Sequence, residues 1–198
     1  MRRIIDHFLA QWKQDTLRKP LLLRGARQIG KTHSVRQFGS SYKHFVEINL
    51  EIETEAHQVF EKNLKPDRII RELSLIAGEP IIPGKTLLFL DEIQAMPQAI
   101  IALRYFYERL PELHVIAAGS LLDFAIEQVG IPVGRVQSLY MYPLSFIEYL
   151  AAVGERLLIE EILNHTITHE MSPVIHEKIL DLLGHYLALG GMPQSVQQ

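Results

Sequence analysis

The sequence has 198 residues, of which 47% are hydrophobic, and a formal net charge of −3. A chain of this size has room for one full α/β domain and part of a second. It contains no cysteine, which excludes disulfide bonds and thiolate metal sites. The small net charge excludes a global electrostatic attraction to nucleic acid, although a local basic surface is compatible with it.

The amino-terminal segment predicts a helix over residues 2–15. Asp6 and His7 interrupt its apolar residues and no small-residue cleavage site follows, which argues against a signal peptide. The apolar residues that fall on one helical face are Ile5, Phe8, Leu9 and Trp12. No stretch of the sequence has the length needed to span a membrane, so we expect a cytoplasmic protein without a membrane partner.

A glycine-rich loop follows between a predicted buried strand, residues 20–24, and a predicted helix, residues 31–40. Its sequence GARQIGKT fits the phosphate-binding pattern G-x-x-x-x-G-K-[ST], and the flanks are those that the pattern requires. Backbone N–H groups and the start of the helix then bind phosphate oxygens. The predicted nucleotide-binding residues are Gly25, Ala26, Arg27, Gln28, Ile29, Gly30, Lys31, Thr32 and His33. The alternative is a glycine-rich turn before an ordinary helix.

Two side chains of this loop have predicted roles in the chemistry. Lys31 is expected to reach the β- and γ-phosphates of a nucleotide and so to act in catalysis. The Thr32 hydroxyl is expected to bind Mg²⁺. Further along, residues 43–49 predict a second strand, and residues 51–77 predict a helical stretch broken near Pro66, whose early acidic residues we interpret as a solvated face.

The apolar run 86–90 predicts a strand covered on both faces, and it ends in Asp91 and Glu92. Ligands of open α/β sheets bind at the carboxyl ends of strands. We expect Asp91 to hold Mg²⁺ and Glu92 to polarise the water that attacks the γ-phosphate. The adjacent glutamate favours ATP hydrolysis over a kinase or GTPase. The alternative is a strand that ends in a solvated turn.

The rest of the chain alternates between strands and helices up to Pro143 and is helical beyond it. The predicted strands are 114–118 and 135–141, and the predicted helices are 97–110, 121–128, 144–153, 155–165 and 173–189. Alternating strands and helices predict an α/β fold, a parallel sheet with helices on both faces. We expect this P-loop domain to occupy residues 1–152 and a helical segment to occupy residues 153–198.

Six motifs in one order resemble the AAA-type ATPases of bacteria and archaea that carry an appended C-terminal domain of unknown function. The motifs are RGARQIGKT, LLFLDEIQ, VIAAGSLLD, Gly134-Arg135, YPLSFIEYL and LGGMP. The resemblance implies an additional-strand P-loop fold, with a strand inserted between the P-loop strand and the strand of Asp91. Such proteins are usually longer, so the resemblance also implies a chain truncated within the appended domain.

The same resemblance adds two residues to the expected site. Ser120 would be the sensor-1 residue, a polar group that contacts the γ-phosphate or the attacking water; the alternative is a helix N-cap. Arg135 matches the family's Gly-Arg motif and would be an arginine finger that acts in its own or a neighbouring subunit. The alternative for Arg135 is a surface arginine paired with an acidic residue.

Taken together, these motifs predict an ATPase that hydrolyses ATP to ADP and phosphate with Mg²⁺ and couples hydrolysis to a conformational change in its helical extension. The alternative is a slowly hydrolysing nucleotide-dependent switch or scaffold that binds a protein or nucleic-acid partner. Homo-oligomers are compatible with either function. A small-molecule kinase is disfavoured, because the sequence shows no recognisable lid for a phosphate acceptor.

Overall fold

The computed structural model describes residues 3–120, 122–130, 132–166, 168 and 170–196. The strands are β1 Leu21–Arg24, β2 His44–Asn49, β3 Thr86–Asp91, β4 His114–Ala118 and β5 Gln137–Tyr140. The helices are α1 Ile4–Gln14, α2 Lys31–Gly39, α3 His57–Glu61, α4 Pro66–Ala77, α5 Pro97–Arg109, α6 Leu122–Val129, α7 Phe146–Ala152, α8 Arg156–Asn164, α9 Pro173–Leu189 and α10 Pro193–Val196. Two short 3₁₀ turns span Thr54–Ala56 and Ile93–Ala95.

The five strands form one parallel sheet in the order β2-β3-β4-β1-β5. Strand β4 lies between β1 and β3, which confirms the inserted strand and the expected P-loop fold. Because every pair is parallel, the carboxyl ends of all five strands meet at one edge of the sheet, and that edge is where ligands of open α/β sheets bind. The loop after β1 and the carboxylates after β3 therefore lie at the same edge.

Successive residues of β1, β3 and β4 pack into opposite cores, as the two-residue period of a strand requires. In β1, Leu22 joins the core formed with α3 to α6, whereas Leu21 and Leu23 join the core formed with α1 and α2. Every residue of β3 and β4 is buried. Both faces of the sheet are thus covered by helices, as predicted.

Several element boundaries differ from the sequence expectation. The fifth strand begins at Gln137 rather than at residue 135, and the helical stretch after β2 begins only at Thr54. In α1, Phe8 is 47% exposed although its predicted partners on the same face are buried. Helix α10 is an addition, and Leu121, predicted to begin the sixth helix, lies outside the described residues.

A buried ion pair connects the amino terminus to the segment after β5. Arg3 Nε lies 2.8 Å from Glu148 Oε1, and the two side chains are 6% and 8% exposed. Arg3 also donates to the carbonyls of Ile29, at 3.0 Å, and Tyr142, at 2.9 Å. Burial raises the pKa of Glu148, but hydrogen bonds from the Ser145 backbone and from Arg3 outweigh it, so the net pKa lies below the usual value. The pair therefore stays charged, and Arg3 holds the loop before α2 through the Ile29 carbonyl.

The C-terminal helices carry little buried surface. Helix α7 starts with a capping box in which the Ser145 and Glu148 side chains each accept a hydrogen bond from the other's backbone N–H. By contrast, α8 buries Leu158 and α9 buries none of its residues. Among the described residues, no helix combines the length and apolar character that crossing a bilayer would take.

Candidate functional site

The loop between β1 and α2 is shaped by its backbone and held by one apolar side chain. Gly30 precedes α2 with φ of 93°, a left-handed conformation that glycine adopts without steric cost. Ile29 is fully buried in the core that α1 and α2 share. Ala26, Arg27 and Gln28 are exposed between these fixed points. The loop thus faces the start of α2 with its central residues accessible, as a phosphate-binding loop requires.

Lys31 is buried inside the loop rather than extended into the cleft. Its Nζ donates hydrogen bonds to the carbonyls of Gly25, at 2.8 Å, and Ala26, at 2.6 Å. Burial lowers the pKa of Lys31, and the nearby carboxylates of Glu92 and Asp91 oppose that shift. The ammonium group is therefore hydrogen-bonded to the loop's own carbonyls, next to the position expected for a nucleotide phosphate.

The expected Mg²⁺ ligands come together in the structure. Thr32 Oγ1 donates a hydrogen bond of 2.8 Å to Asp91 Oδ2, which joins residues 59 positions apart. Burial raises the pKa of Asp91, while the hydrogen bonds from Thr32 and from the Glu92 backbone oppose the rise. The oxygens of Thr32 and Asp91 suit Mg²⁺, which prefers oxygen ligands and usually keeps several waters. No cluster of three or more His, Asp or Glu side chains suited to a metal occurs in the described part of the chain.

Glu92 is held in a strained conformation beside these ligands. Its φ of 48° and ψ of 46° are left-handed, and its N–H donates to Asp91 Oδ1 at 3.0 Å. Of the residues described, Glu92 and Gln28 are the non-glycine residues with positive φ, and both line the same cleft. Left-handed non-glycine residues cost about 1–3 kcal/mol and concentrate at functional sites. The strain marks this cleft as the candidate site.

Ser120 follows β4 and faces the glycine loop across the sheet edge. Arg27 Nε donates to Ser120 Oγ at 3.4 Å, so the central strand and the loop are already in contact. Ser120 therefore lies beside the predicted phosphate-binding loop, and its sensor role stays a prediction. Its role as a helix N-cap depends in part on Leu121, which lies outside the described residues.

Arg135 lies at the edge of the sheet opposite the glycine loop. It precedes β5, at the amino ends of the parallel strands, whereas the glycine loop follows the carboxyl end of β1. Arg135 Nε donates to Glu108 Oε1 at 3.0 Å, and Arg104 Nε binds the same oxygen at 2.9 Å. Within this chain Arg135 is thus paired with an acidic residue at the sheet edge opposite the glycine loop, and its role as an arginine finger stays a prediction.

The cleft has a volume of about 540 Å³ and shares lining residues, Gln28 and His33 among them, with a neighbouring cavity of about 370 Å³. Residues of both the glycine loop and distant segments form its walls: Arg27, Gln28, Gly30, Lys31, Thr32, His33, Glu51, Glu92 and Gln194. Glu51 and Gln194 were not expected there. Asn49 pairs in register with Asp91, so the segment after β2 reaches the same sheet edge, and this signal could have identified Glu51. Gln194 offers no comparable signal, since α10 lies far along the chain.

Comparisons with known proteins agree with this geometry. A family model described as an AAA domain matches residues 17–150. A solved Walker-type ATPase of Pyrococcus abyssi is similar in fold, with a TM-score of 0.55 and 16% identity over 98% of this chain and 65% of that one. C. elegans PCH-2 gives a TM-score of 0.48 and 12% identity over 98% of this chain and 59% of that one. A search of curated protein sequences gives no match. This chain thus spans less than two thirds of the length of either solved protein.

Proposed function

We propose, from the premise that the chain belongs to the AAA domain family and is an ATPase of the P-loop class, that it hydrolyses ATP to ADP and phosphate with Mg²⁺. One observation carries the proposal: the hydrogen bond between Thr32 and Asp91, which brings together a loop that suits phosphate and a strand that ends in two carboxylates.

Binding would use the whole loop from Gly25 to His33. Its backbone N–H groups and the first turn of α2 offer a positive dipole end to the phosphates. The Lys31 ammonium would exchange the carbonyls of Gly25 and Ala26 for β- and γ-phosphate oxygens, which compete well because they are charged. Thr32 and Asp91 would hold Mg²⁺, and that ion, when bound, neutralises charge on the β- and γ-phosphates.

Glu92 would act as the general base. A water oxygen attacks the γ-phosphorus while a Glu92 carboxylate oxygen accepts the proton of that water. The bond from the γ-phosphorus to the bridging oxygen breaks, and its electron pair leaves on ADP. Ser120, at the end of β4, would contact the γ-phosphate or orient the water from the opposite side. In this scheme the protein contributes mainly position and electrostatics.

Arg135 would serve a neighbouring subunit. It lies at the amino ends of the strands and is half-exposed, so its guanidinium is accessible to a second copy but remote from its own cleft. An arginine finger supplied in trans stabilises charge on the transferring phosphoryl group. This proposal includes homo-oligomers, in which Glu108 holds Arg135 until the subunits meet.

The helical segment would convert the nucleotide state into a signal for a partner. We propose a P-loop domain at residues 1–152, a helical segment at 153–198 that begins an appended C-terminal domain, and coupling between the two. Gln194 supports the coupling, because it reaches the nucleotide cleft from α10. The partner would be a protein or a nucleic acid, in the cytoplasm, where ATP is abundant.

A second candidate, the slowly hydrolysing switch, is favoured by the position of Lys31. Its Nζ donates to the carbonyls of Gly25 and Ala26 rather than extending into the cleft. A site whose lysine must first leave these carbonyls would turn over slowly until a nucleotide or partner releases it. Basal turnover measured with and without candidate partners separates the two functions.

Two substitutions test the proposal. Glu92→Gln keeps shape but loses basicity, so phosphate release should fall by about 100-fold or more while ATP affinity persists. Lys31→Ala should weaken Mg-ATP binding by about 1–2 kcal/mol in calorimetry, the size of a lost charge-assisted hydrogen bond. Exposed Glu61→Gln and Lys43→Ala are matched controls. Unchanged turnover in the first variant would remove Glu92 as the base, and unchanged affinity in the second would remove the loop as the binding site.

A further inference from the structure

Gln94 lies in the 3₁₀ turn Ile93–Ala95, two residues beyond Glu92. Its Nε2 lies 2.6 Å from Glu92 Oε2. An ionised carboxylate only accepts hydrogen bonds, so the amide nitrogen must face Glu92 and the amide oxygen must face away. That oxygen, Gln94 Oε1, is buried without a hydrogen-bond partner in the described part of the structure. A buried acceptor left unpaired costs stability, which makes this side chain a poor choice for packing alone.

The unpaired oxygen sits where a side chain of Gly119 would be. A Cβ on Gly119 would overlap Gln94 Oε1 and would approach two atoms of Leu122 at 3.0 Å. Gly119 directly precedes Ser120 at the end of β4. Gln94 therefore fills the space between the ends of β3 and β4 and touches both the proposed base and the backbone next to the proposed sensor.

The Glu92 side chain depends on this contact for its direction. Its backbone is set in a left-handed conformation by the Asp91 carboxylate. Within the described residues, the hydrogen bond from Gln94 is the one that the Glu92 carboxylate receives. With Oε2 engaged, the other carboxylate oxygen, Oε1, is left to accept a proton.

We infer that Gln94 is a positioning residue of the hydrolysis reaction. It orients the Glu92 carboxylate, and it occupies space that is free because residue 119 is a glycine. The inference rests on the proposed function, because it takes Glu92 as the base. Gln94 does not touch substrate; it acts by holding one carboxylate oxygen so that the other faces the attacking water. Correct placement of a reacting group contributes heavily to rate, and small displacements reduce it.

The test uses Gln94→Met, which keeps the length and volume of the side chain but removes both polar atoms. Turnover should fall by about 10-fold or more, while KM for ATP stays within about 2-fold, because the binding loop is untouched. The melting temperature should stay level or rise, since the unpaired oxygen is gone. Gln98→Met, on the exposed first turn of α5, is the matched control and should change none of these values. A packing role predicts full turnover for Gln94→Met and would overturn the inference.

A double-mutant cycle separates this inference from the proposed function. If Gln94 acts through Glu92, the double variant Glu92→Gln/Gln94→Met should hydrolyse ATP no more slowly than Glu92→Gln alone. A further 10-fold loss in the double variant overturns the inference and leaves Glu92 as the base. Full turnover in Glu92→Gln alone overturns the proposed function and, with it, the inference.

A second double-mutant cycle tests whether Gln94 needs the space beside Gly119. Gly119→Ala should displace Gln94 and lower turnover in the native background, but it should add little to the loss in Gln94→Ala, where the space is vacant. The close approach to Leu122 is present in both backgrounds and cancels in the cycle. Thermal melts confirm that each variant is folded. An equal loss of turnover from Gly119→Ala in both backgrounds would overturn the inference that Gln94 needs this space.

Discussion

Strand β3 and helix α9 are both rich in apolar residues, yet they bury them to opposite extents. Every residue of β3 is buried between two layers of helices. Helix α9 has 17 residues and none of them is buried; its Leu187 is 72% exposed. The contact of α9 with the rest of the chain centres on Tyr186, whose ring packs near Tyr149 and whose hydroxyl donates to the Leu144 carbonyl at 2.7 Å.

The difference locates the stability of the molecule. Burial of apolar surface is the dominant favourable contribution to folding, so the sheet and its two cores hold the fold. Elements with little buried surface open with low free energy and are suited to motion. The candidate site lies at the edge of the stable region. The helical segment is joined to that region by hydrogen bonds such as that from the Leu144 N–H to the Gly191 carbonyl, 2.6 Å. The proposed coupling would thus join a densely packed region to a loosely packed one.

The largest expected difference in stability is between two truncations, one in each region. Phe89→Ala removes a fully buried ring from β3 and should lower the free energy of unfolding by about 3–5 kcal/mol. Leu187→Ala removes exposed surface from α9 and should change it by less than about 0.5 kcal/mol. Urea denaturation of both variants measures the contrast. Equal losses would mean that α9 belongs to the same core as β3.

The next effect concerns two ion pairs, one in each region. Arg3→Ala leaves the Glu148 carboxylate buried without its cation, which should cost about 3 kcal/mol of stability. Lys178→Ala breaks the exposed pair between α9 and Glu155, 2.7 Å in length, and should cost less than about 1 kcal/mol. The same denaturation experiment reports both. A negligible loss in Arg3→Ala would show that the buried ion pair does not stabilise the fold.

A third effect is a pH dependence confined to the stable region. Burial, together with the charges of Arg18 and Lys13, lowers the pKa of His114 to about 4. Since the unfolded chain binds this proton near pH 6.5, it holds more protons than the native state between those values. Stability should therefore be full above pH 6.5 and fall, by at most about 3 kcal/mol, as the pH drops toward 4.

Two variants isolate that dependence. His114→Phe preserves a ring at the start of β4, where His114 packs on Tyr42 and Trp12, and should flatten stability between pH 6.5 and 4. His176→Phe, on the exposed surface of α9, should leave the wild-type slope unchanged. Melting temperatures across the pH range provide the measurement. An undiminished slope in His114→Phe would assign the acid sensitivity to other groups.

The parts of the site that are local in sequence were predictable, and the parts assembled by topology were not. The glycine loop and Asp91-Glu92 can each be identified by their residue types after a predicted strand, and the structure brings them together. Arg135 has the right residue type, but its place opposite the cleft follows from strand direction, which a motif does not encode. Arg3 was missed because a buried arginine at a chain terminus has no local pattern; its partner Glu148 is 145 residues away.

Amide hydrogen exchange with and without a Mg-bound, non-hydrolysable ATP analogue tests the central claim most directly, namely that the stable region holds the nucleotide at the carboxyl ends of its strands. The account predicts slower exchange in the loop 25–33 and around Glu92 and Ser120. It predicts fast exchange in α9, whose residues are not buried, in the absence of the analogue. Unchanged exchange in the loop at saturating analogue, or protection confined to other segments, would contradict it.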